Sequence, residues 1–300
     1  MQPERPQPIL IVGAPRSGTT LLATMLNAHP DIFIANESKL LINLLPRQGG
    51  QRQSISRDKL LAEAAARGLG SHVRLSDLPP DSNAADLLRS VFEASAEANG
   101  KKRWGEKTAV AFRRLPALVN AYPDAHFIGL ERDLEAVAAS YSRINPSWGA
   151  TGGVVHWLEF KQAIARQGPD FRCLLISYEE LTEKPELTLR RVCEFVGEPF
   201  DASTLRYYET AQAQYLAQSP EFAGASRALY HSGVPTKSGL PTWLIARAKS
   251  YADTLAESGT VPIPIWFRTI RAFVRARVLF REISTDGIVS TLHKVGHRLS

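Results

Sequence analysis

Cysteine is scarce in this chain, two in 300 residues, which excludes a disulfide-built scaffold. Cys173 lies in an apolar, strand-like run and Cys193 in a helix-like one. Both read as buried free thiols of a reducing compartment, a mutual disulfide being the alternative. No spacing of cysteine and histidine suggests a metal site. No window holds the ~18 uninterrupted apolar residues of a spanning helix. The first residues, MQPERPQP, are polar and proline-rich and lack the apolar centre of a secretory signal, so a cytoplasmic location is expected. There is no internal repeat.

What is present is a globular composition, 44% hydrophobic and 22% charged, on a chain long enough for a sizeable core. The net charge of +6 is unevenly placed. Residues 260–300 carry Arg268, Arg271, Arg275, Arg277, Arg281, Lys294 and Arg298 against Glu282 and Asp286, so nearly all the excess belongs to the tail. The basic balance is therefore no argument for nucleic-acid binding by the body of the protein. Within the tail, residues 263–283 set Trp266, Phe267, Ile270, Phe273, Val274 and Val278 at helical spacing among arginines. Such a helix lies on an anionic membrane, at its inner face, docks on a partner, or packs its apolar stripe on the domain with the arginines in water.

Strand-like runs at 9–13, 32–35, 126–131 and 173–177 are separated or followed by helical periodicity at 19–28, 57–67, 84–98, 112–122, 133–143, 154–167, 185–196, 202–217 and 240–257. This alternation predicts an α/β protein, a parallel sheet covered by helices on both faces. Residues 46–83, rich in Gly, Gln, Ser, Pro and Asp, read as irregular, and 46–100 as a variable insertion. Pro262 and Pro264 mark a join. One domain over 1–260 and a basic amphipathic segment over 261–300 are expected.

The first strand-like run leads into GAPRSGTTLL. Gly13 and Gly18 are spaced as in the phosphate-binding loop G-x-x-x-x-G-K-[ST], but Thr19 stands where the lysine belongs. A strand, a glycine turn and a helix N-terminus make an anion site, because the first helical N–H groups have no intrahelical partner and the dipole favours negative charge. Gly18 permits close backbone approach, Ser17, Thr19 and Thr20 add hydroxyls, and Arg16, after Pro15, adds a fork of donors suited to phosphate or sulfate. The missing lysine, and the absence of an apolar strand ending in a metal-binding aspartate, argue for a 5′ anion held without metal. A plain strand–turn–helix corner is the alternative. The fold implied is a P-loop-type three-layer α/β/α sandwich with a central parallel sheet.

These residues resemble the sulfotransferases that use 3′-phosphoadenylyl sulfate (PAPS). PRSGTTLL is similar to their 5′-phosphosulfate loop. HFIGLERDLEAVAASY is similar to their 3′-phosphate motif, with Arg132 at the strand end and Ser140 eight residues on. WGEKTAVAF resembles the stretch that leads into that motif in the bacterial and tyrosylprotein branches, and LLISYEELTEKPELTLRRVCEFVGEPF the family's Y-E-D-L segment. The resemblance spans about residues 8–200, with a weaker echo at 231–245. It implies PAPS as co-substrate, PAP as product, no metal, and an acceptor hydroxyl on a carbohydrate, peptide or natural product.

Sulfuryl transfer needs a base for the acceptor proton, positive charge at the leaving phosphate, and in-line geometry. Glu37, after HPDIFIAN, is the candidate base by resemblance, the alternative being a helix-start carboxylate. His29, His126 and His156 are minor candidates for the same role. Lys107 is the candidate cation, together with Arg16; an exposed pair with Glu106 is the alternative reading. Trp104 is either an adenine-stacking ring or a buried aromatic, and Tyr178 either a nucleotide neighbour or a core tyrosine. For Arg132 an ion pair with Asp133 or Glu135 competes with the phosphate role, and for Ser140 packing against the sheet. By the same resemblance, residues 231–239, HSGVPTKSG, with Lys237 and Ser238, correspond to the basic loop that the family closes over the 3′-phosphate. Residues 40–100 and 145–155, including a flexible NPSWGATGG, are read as walls of the acceptor pocket. The rival functions are a nucleotide-dependent P-loop kinase and a non-catalytic nucleotide-binding module.

Overall fold

The computed structural model describes residues 6–45, 56–69, 73, 83–167, 170–210, 228, 238–259 and 261–286. They fall into two compact units: one built from the described residues up to Gly13, from Ser17–Arg132 and between 167 and 233, the other from Ala14–Arg16, Asp133–Arg166 and the described residues from 238 onward.

The first unit holds a five-stranded, wholly parallel sheet: β1 (Ile9–Gly13), β2 (Ile32–Asn36), β3 (Arg103–Lys107), β4 (His126–Glu131) and β5 (Cys173–Ser177), in the order β2-β3-β1-β4-β5. Its helices are α1 (Thr19–Asn27), α2 (Leu40–Leu44), α3 (Arg57–Ala65), α4 (Ala84–Ala98) and α5 (Leu115–Ala121). The expected α/β class with a central parallel sheet and flanking helices is what the chain forms. Four strands coincide with the apolar runs of the sequence. The fifth, β3, reads RWGEK and carries no such run, yet all five of its residues are buried. A strand between two others is covered on both faces, so here the sheet buries charges that the sequence pattern would have placed in water.

Alternation along β1 and β3 sorts the side chains. Ile9 and Ile11 join Ile128, Leu130 and the apolar side of α1 in one core. Gly105 and Lys107 are registered with Ile9 and Ile11, so Lys107 points to the α1 face and Trp104 and Glu106 to the other. The direction of the connections reverses at β1. In open parallel sheets, ligands sit beyond the C-terminal ends of the strands at such a point. Gly13, Glu37, Lys107, Arg132 and Tyr178 all lie at or just past those ends.

The second unit is helical: α6 (Leu134–Ile144) and α7 (Gly149–Ala165), and, after α8 (Tyr178–Glu183) and α9 (Pro185–Val196) of the first unit, α10 (Thr242–Ser258) and α11 (Ile265–Asp286). NPSWGATGG is not a flexible loop. From Gly149 it forms the first turns of α7, because bare glycines let that helix press on α6: a Cβ on Gly153 would stand 2.7 Å from Ala138 Cα. The helix expected over 202–217 is a 3₁₀ stretch, Ala202–Glu209, followed by extended Thr210; 211–217 lie outside the described residues. In α11, Phe267 and Val274 enter a core with Leu158 of α7 and Tyr251 of α10, and Arg271 pairs with Glu159 at 3.1 Å. The tail thus packs one apolar stripe within its unit. Ile265 and Phe273 remain outside, 81% and 62% exposed. No helix among the described residues is long and apolar enough to cross a membrane. Both cysteines are free thiols.

Candidate active site

The loop after β1 is shaped by what its glycines exclude. A Cβ on Gly13 would meet Leu130 O and Ser17 Oγ, each at 2.7 Å. Gly18 takes φ 102°, where side chains are strained, and a Cβ there would sit 2.4 Å from Tyr178 Cδ2. Gly18 is also the N-cap of α1, and no side chain caps that helix. The hydroxyl of Ser17 is buried without a hydrogen-bond partner. A helix start of nine residues with no capping side chain and an idle hydroxyl beside it has donors to spare for an anion. The donor set therefore fits an anion such as a phosphate group. Gly18→Ala tests the packing. Its nucleotide affinity should fall at least ~10-fold, read by calorimetry with PAP; unchanged affinity would show that the loop has room to spare.

Lys107 stands at the end of β3 with its side chain 1% exposed. Its Nζ donates to Thr20 Oγ1 at 2.8 Å and to Glu37 Oε1 at 2.9 Å. The ammonium thus joins the first turn of α1 to the proposed base. Glu37 Oε1 also accepts the N–H of Ala109 at 3.2 Å, while Oε2 takes part in neither bond. The Glu37 side chain is 31% exposed, so it is reachable from solvent. The alternative reading of Lys107 fails on this geometry. Lys107 is not an exposed partner of Glu106, which is on the opposite sheet face. Glu37 does not start α2, whose N-cap is Lys39.

Glu106 itself was missed as a site residue. Its carboxylate is buried and accepts from the Ser38 hydroxyl and, at 3.2 Å, from Thr108 Oγ1. Burial pushes its pKa up to about 7, with the Glu37 charge adding to the rise and the Ser38, Thr108 and Lys39 donors opposing it. The signal in the sequence was Glu-Lys within a run too polar to be taken for a strand.

Arg132 follows β4, and its guanidinium lies 4.1 Å from the centroid of the Tyr178 ring, the ring that also covers Gly18. Tyr178 opens α8 behind the Ser177 capping box, so a local signal fixes its position. In the second unit, Arg16 Nε donates to Ser140 Oγ at 3.1 Å, and Arg16 holds a left-handed φ of 75°. That cost is accepted at functional loops when neighbours enforce it. Asp133 caps α6 through the N–H groups of Glu135 and Ala136 and meets Lys249 at 3.2 Å. Residues 231–237, Lys237 included, lie outside the described residues. Ser238 Oγ accepts the Leu240 N–H at 3.2 Å.

The minor candidates have structural duties. His29 is fully buried, accepting the Asp31 N–H on Nδ1 and bonding Pro199 O through Nε2. His126 begins β4, at the wrong end of the sheet, and burial with Arg172 and Arg103 pushes its pKa down to about 4. His156 is bonded to Tyr141 and stacked on Trp148. Trp104 is fully buried and stacks on Phe92 with centroids 4.9 Å apart, so it cannot take adenine.

The chain is 24% identical over 216 residues to a protein-tyrosine sulfotransferase of Drosophila melanogaster, covering 67% of this chain and 40% of that one. It is 28% identical over 267 residues to the nodulation protein NoeE of Sinorhizobium fredii, covering 79% and 60%. The chain thus spans less than two thirds of the length of either. Among solved structures, the sulfotransferase domain of the Synechococcus PCC 7002 olefin synthase shares the fold with a TM-score of 0.54 at 21% identity, covering 88% of this chain and 99% of that one. The family model described as "Sulfotransferase family" matches residues 8–202. That match takes in the strand–loop–helix, the Glu37–Lys107 pair and the Arg132–Tyr178 stack, and it is on this ground that the chain belongs to the sulfotransferase family.

Proposed function

We propose that this transferase moves the sulfuryl group of PAPS to an acceptor hydroxyl, with Glu37 as base and no metal. The observation that carries the reading is the chain Thr20–Lys107–Glu37, in which one buried ammonium bonds both the anion-binding helix start and a solvent-reachable carboxylate. Ser17, Gly18, Thr19, Thr20 and Lys107 would hold the 5′ group. Arg132 and Tyr178 would meet the nucleotide beyond it. Pro15, Arg16, Ser140, Lys237 and Ser238 are the further nucleotide contacts that the family pattern implies. The co-substrate supplies the transferable sulfuryl group and a phosphate leaving group. The protein's part is electrostatic and positional. Glu37 would take the acceptor proton, and Lys107 would face charge developing on the leaving phosphate, a role that the family pattern gives to Arg16 as well.

The testing experiment is incubation with ³⁵S-PAPS and, in parallel, a tyrosyl peptide, a hydroxylated oligosaccharide and an extract of the host. Transfer of label to any of these supports the reading. Label that stays on PAPS in all of them, together with stronger thermal stabilisation by MgATP than by PAP, favours the kinase. PAP binding without transfer favours a non-catalytic module.

We also read α11 as a peripheral membrane contact, because Ile265 and Phe273 project among exposed Arg268 and Arg275. The protein should float with vesicles of anionic lipid at low salt and lose this when both apolar residues become serine. Failure to float at low salt ends the idea. A cytoplasmic place beside the inner membrane face follows from the same reading.

A further inference from the structure

The residues between β2 and α2 hold an unusual backbone. Glu37 and Lys39, neither of them glycine, have φ of 55° and 59°. Such residues are strained singly, and two flanking one position persist only where the surroundings enforce them. The enforcement here comes from β3 and the residue after it. Glu37 N–H donates to Lys107 O at 2.6 Å. The Ser38 hydroxyl, between the two strained residues, donates to the Glu106 carboxylate. That carboxylate also holds Thr108 at 3.2 Å, and Thr108 Oγ1 accepts the Lys39 N–H at 3.3 Å. The Ser38 oxygen in turn accepts the Leu40 N–H at 3.2 Å. Ser38, Glu106 and Thr108 are 4%, 3% and 1% exposed.

The strained turn is therefore fastened at two adjacent strand residues that point to opposite faces. Lys107 grips the Glu37 carboxylate on the α1 side. On the other side Glu106 grips the side chain of the next residue. A carboxylate buried away from water is costly even when it accepts hydrogen bonds, and an apolar side chain would fill the same strand position more cheaply. What the acid supplies in return is an acceptor for both hydroxyls.

We infer that Glu106 is a positioning residue of the transfer reaction, fixing through Ser38 and Thr108 the left-handed turn that aims the Glu37 carboxylate at the acceptor. This rests on the reading of Glu37 as base. Glu106 is only 3% exposed and on the sheet face away from α1, so its loss should act on turnover and leave nucleotide binding alone.

The test measures kcat from the release of label from ³⁵S-PAPS, to the acceptor fraction that takes it or to water, beside PAP affinity by calorimetry. Glu106→Ala should lower kcat at least ~10-fold, since small misplacement of a catalytic group is costly, with PAP affinity within about threefold of wild type. Glu106→Gln keeps an oxygen that can accept both hydroxyls and should restore most of the rate. Ser38→Ala removes one fastening while leaving the buried acid its Thr108 donor, and should lower kcat severalfold; it serves if Glu106→Ala does not fold. A purely structural role predicts lowered thermal stability with kcat kept in the folded variants, and that result overturns the inference. Glu37→Gln is assayed alongside. If it retains turnover, the base assignment fails; if it is dead while Glu106→Ala and Ser38→Ala turn over normally, only the positioning role fails.

Discussion

Glu37→Gln should lose at least ~10²-fold in turnover, the usual scale for a general base, while binding PAP as the wild type does. The variant keeps the side chain's size. Its carbonyl oxygen can still accept from Lys107 Nζ and from Ala109 N–H, the two donors on Oε1. The backbone bond from Glu37 N–H to Lys107 O is untouched. The proposed nucleotide cradle, built on the residues after β1, should therefore stay as it was. What disappears is the capacity of the other carboxylate oxygen to accept a proton. Rates from labelled PAPS and calorimetry with PAP separate the two effects. Turnover at the wild-type level would remove Glu37 from the role and leave its ion pair as architecture.

Lys107→Met should lower kcat by about 10²–10³, the range seen when one donor facing developing charge is removed, and should also weaken PAP. This differs from the Glu37 variant because Lys107 bonds Thr20 in the first turn of α1 at 2.8 Å, on the side where the 5′ group is proposed to sit. The stability effect should be modest for so buried a charge. Removing one partner of a closed ion pair strands the other, but Glu37 is 31% exposed, so water can reach its carboxylate, and Ala109 still donates to it. Methionine fills the channel of the lysine stem without a charge. Thermal unfolding, PAP calorimetry and turnover on one preparation give the three readings. A rate within a few-fold of wild type would mean that the ammonium only steadies Glu37 and that charge at the leaving group comes from Arg16.

Much of the protein was written into its sequence. The run ILIVG and the spacing of Gly13 and Gly18 predicted the strand, turn and helix that the chain forms. Each is a local matter of a short apolar run, a backbone conformation restricted to glycine, and helical periodicity. The same holds for Arg132 at the end of its strand. The tertiary structure decided the rest. It made a strand of RWGEK, because a central position covers both faces whatever the residues, and it turned a glycine-rich presumed loop into a helix pressed on its neighbour. It chose the core over the site for Trp104, and it set Lys107 on one side of β3 and Glu106 on the other. No local pattern could show that these two neighbours fasten successive residues of a segment seventy positions earlier. Such contacts come from strand register, which depends on the whole sheet at once.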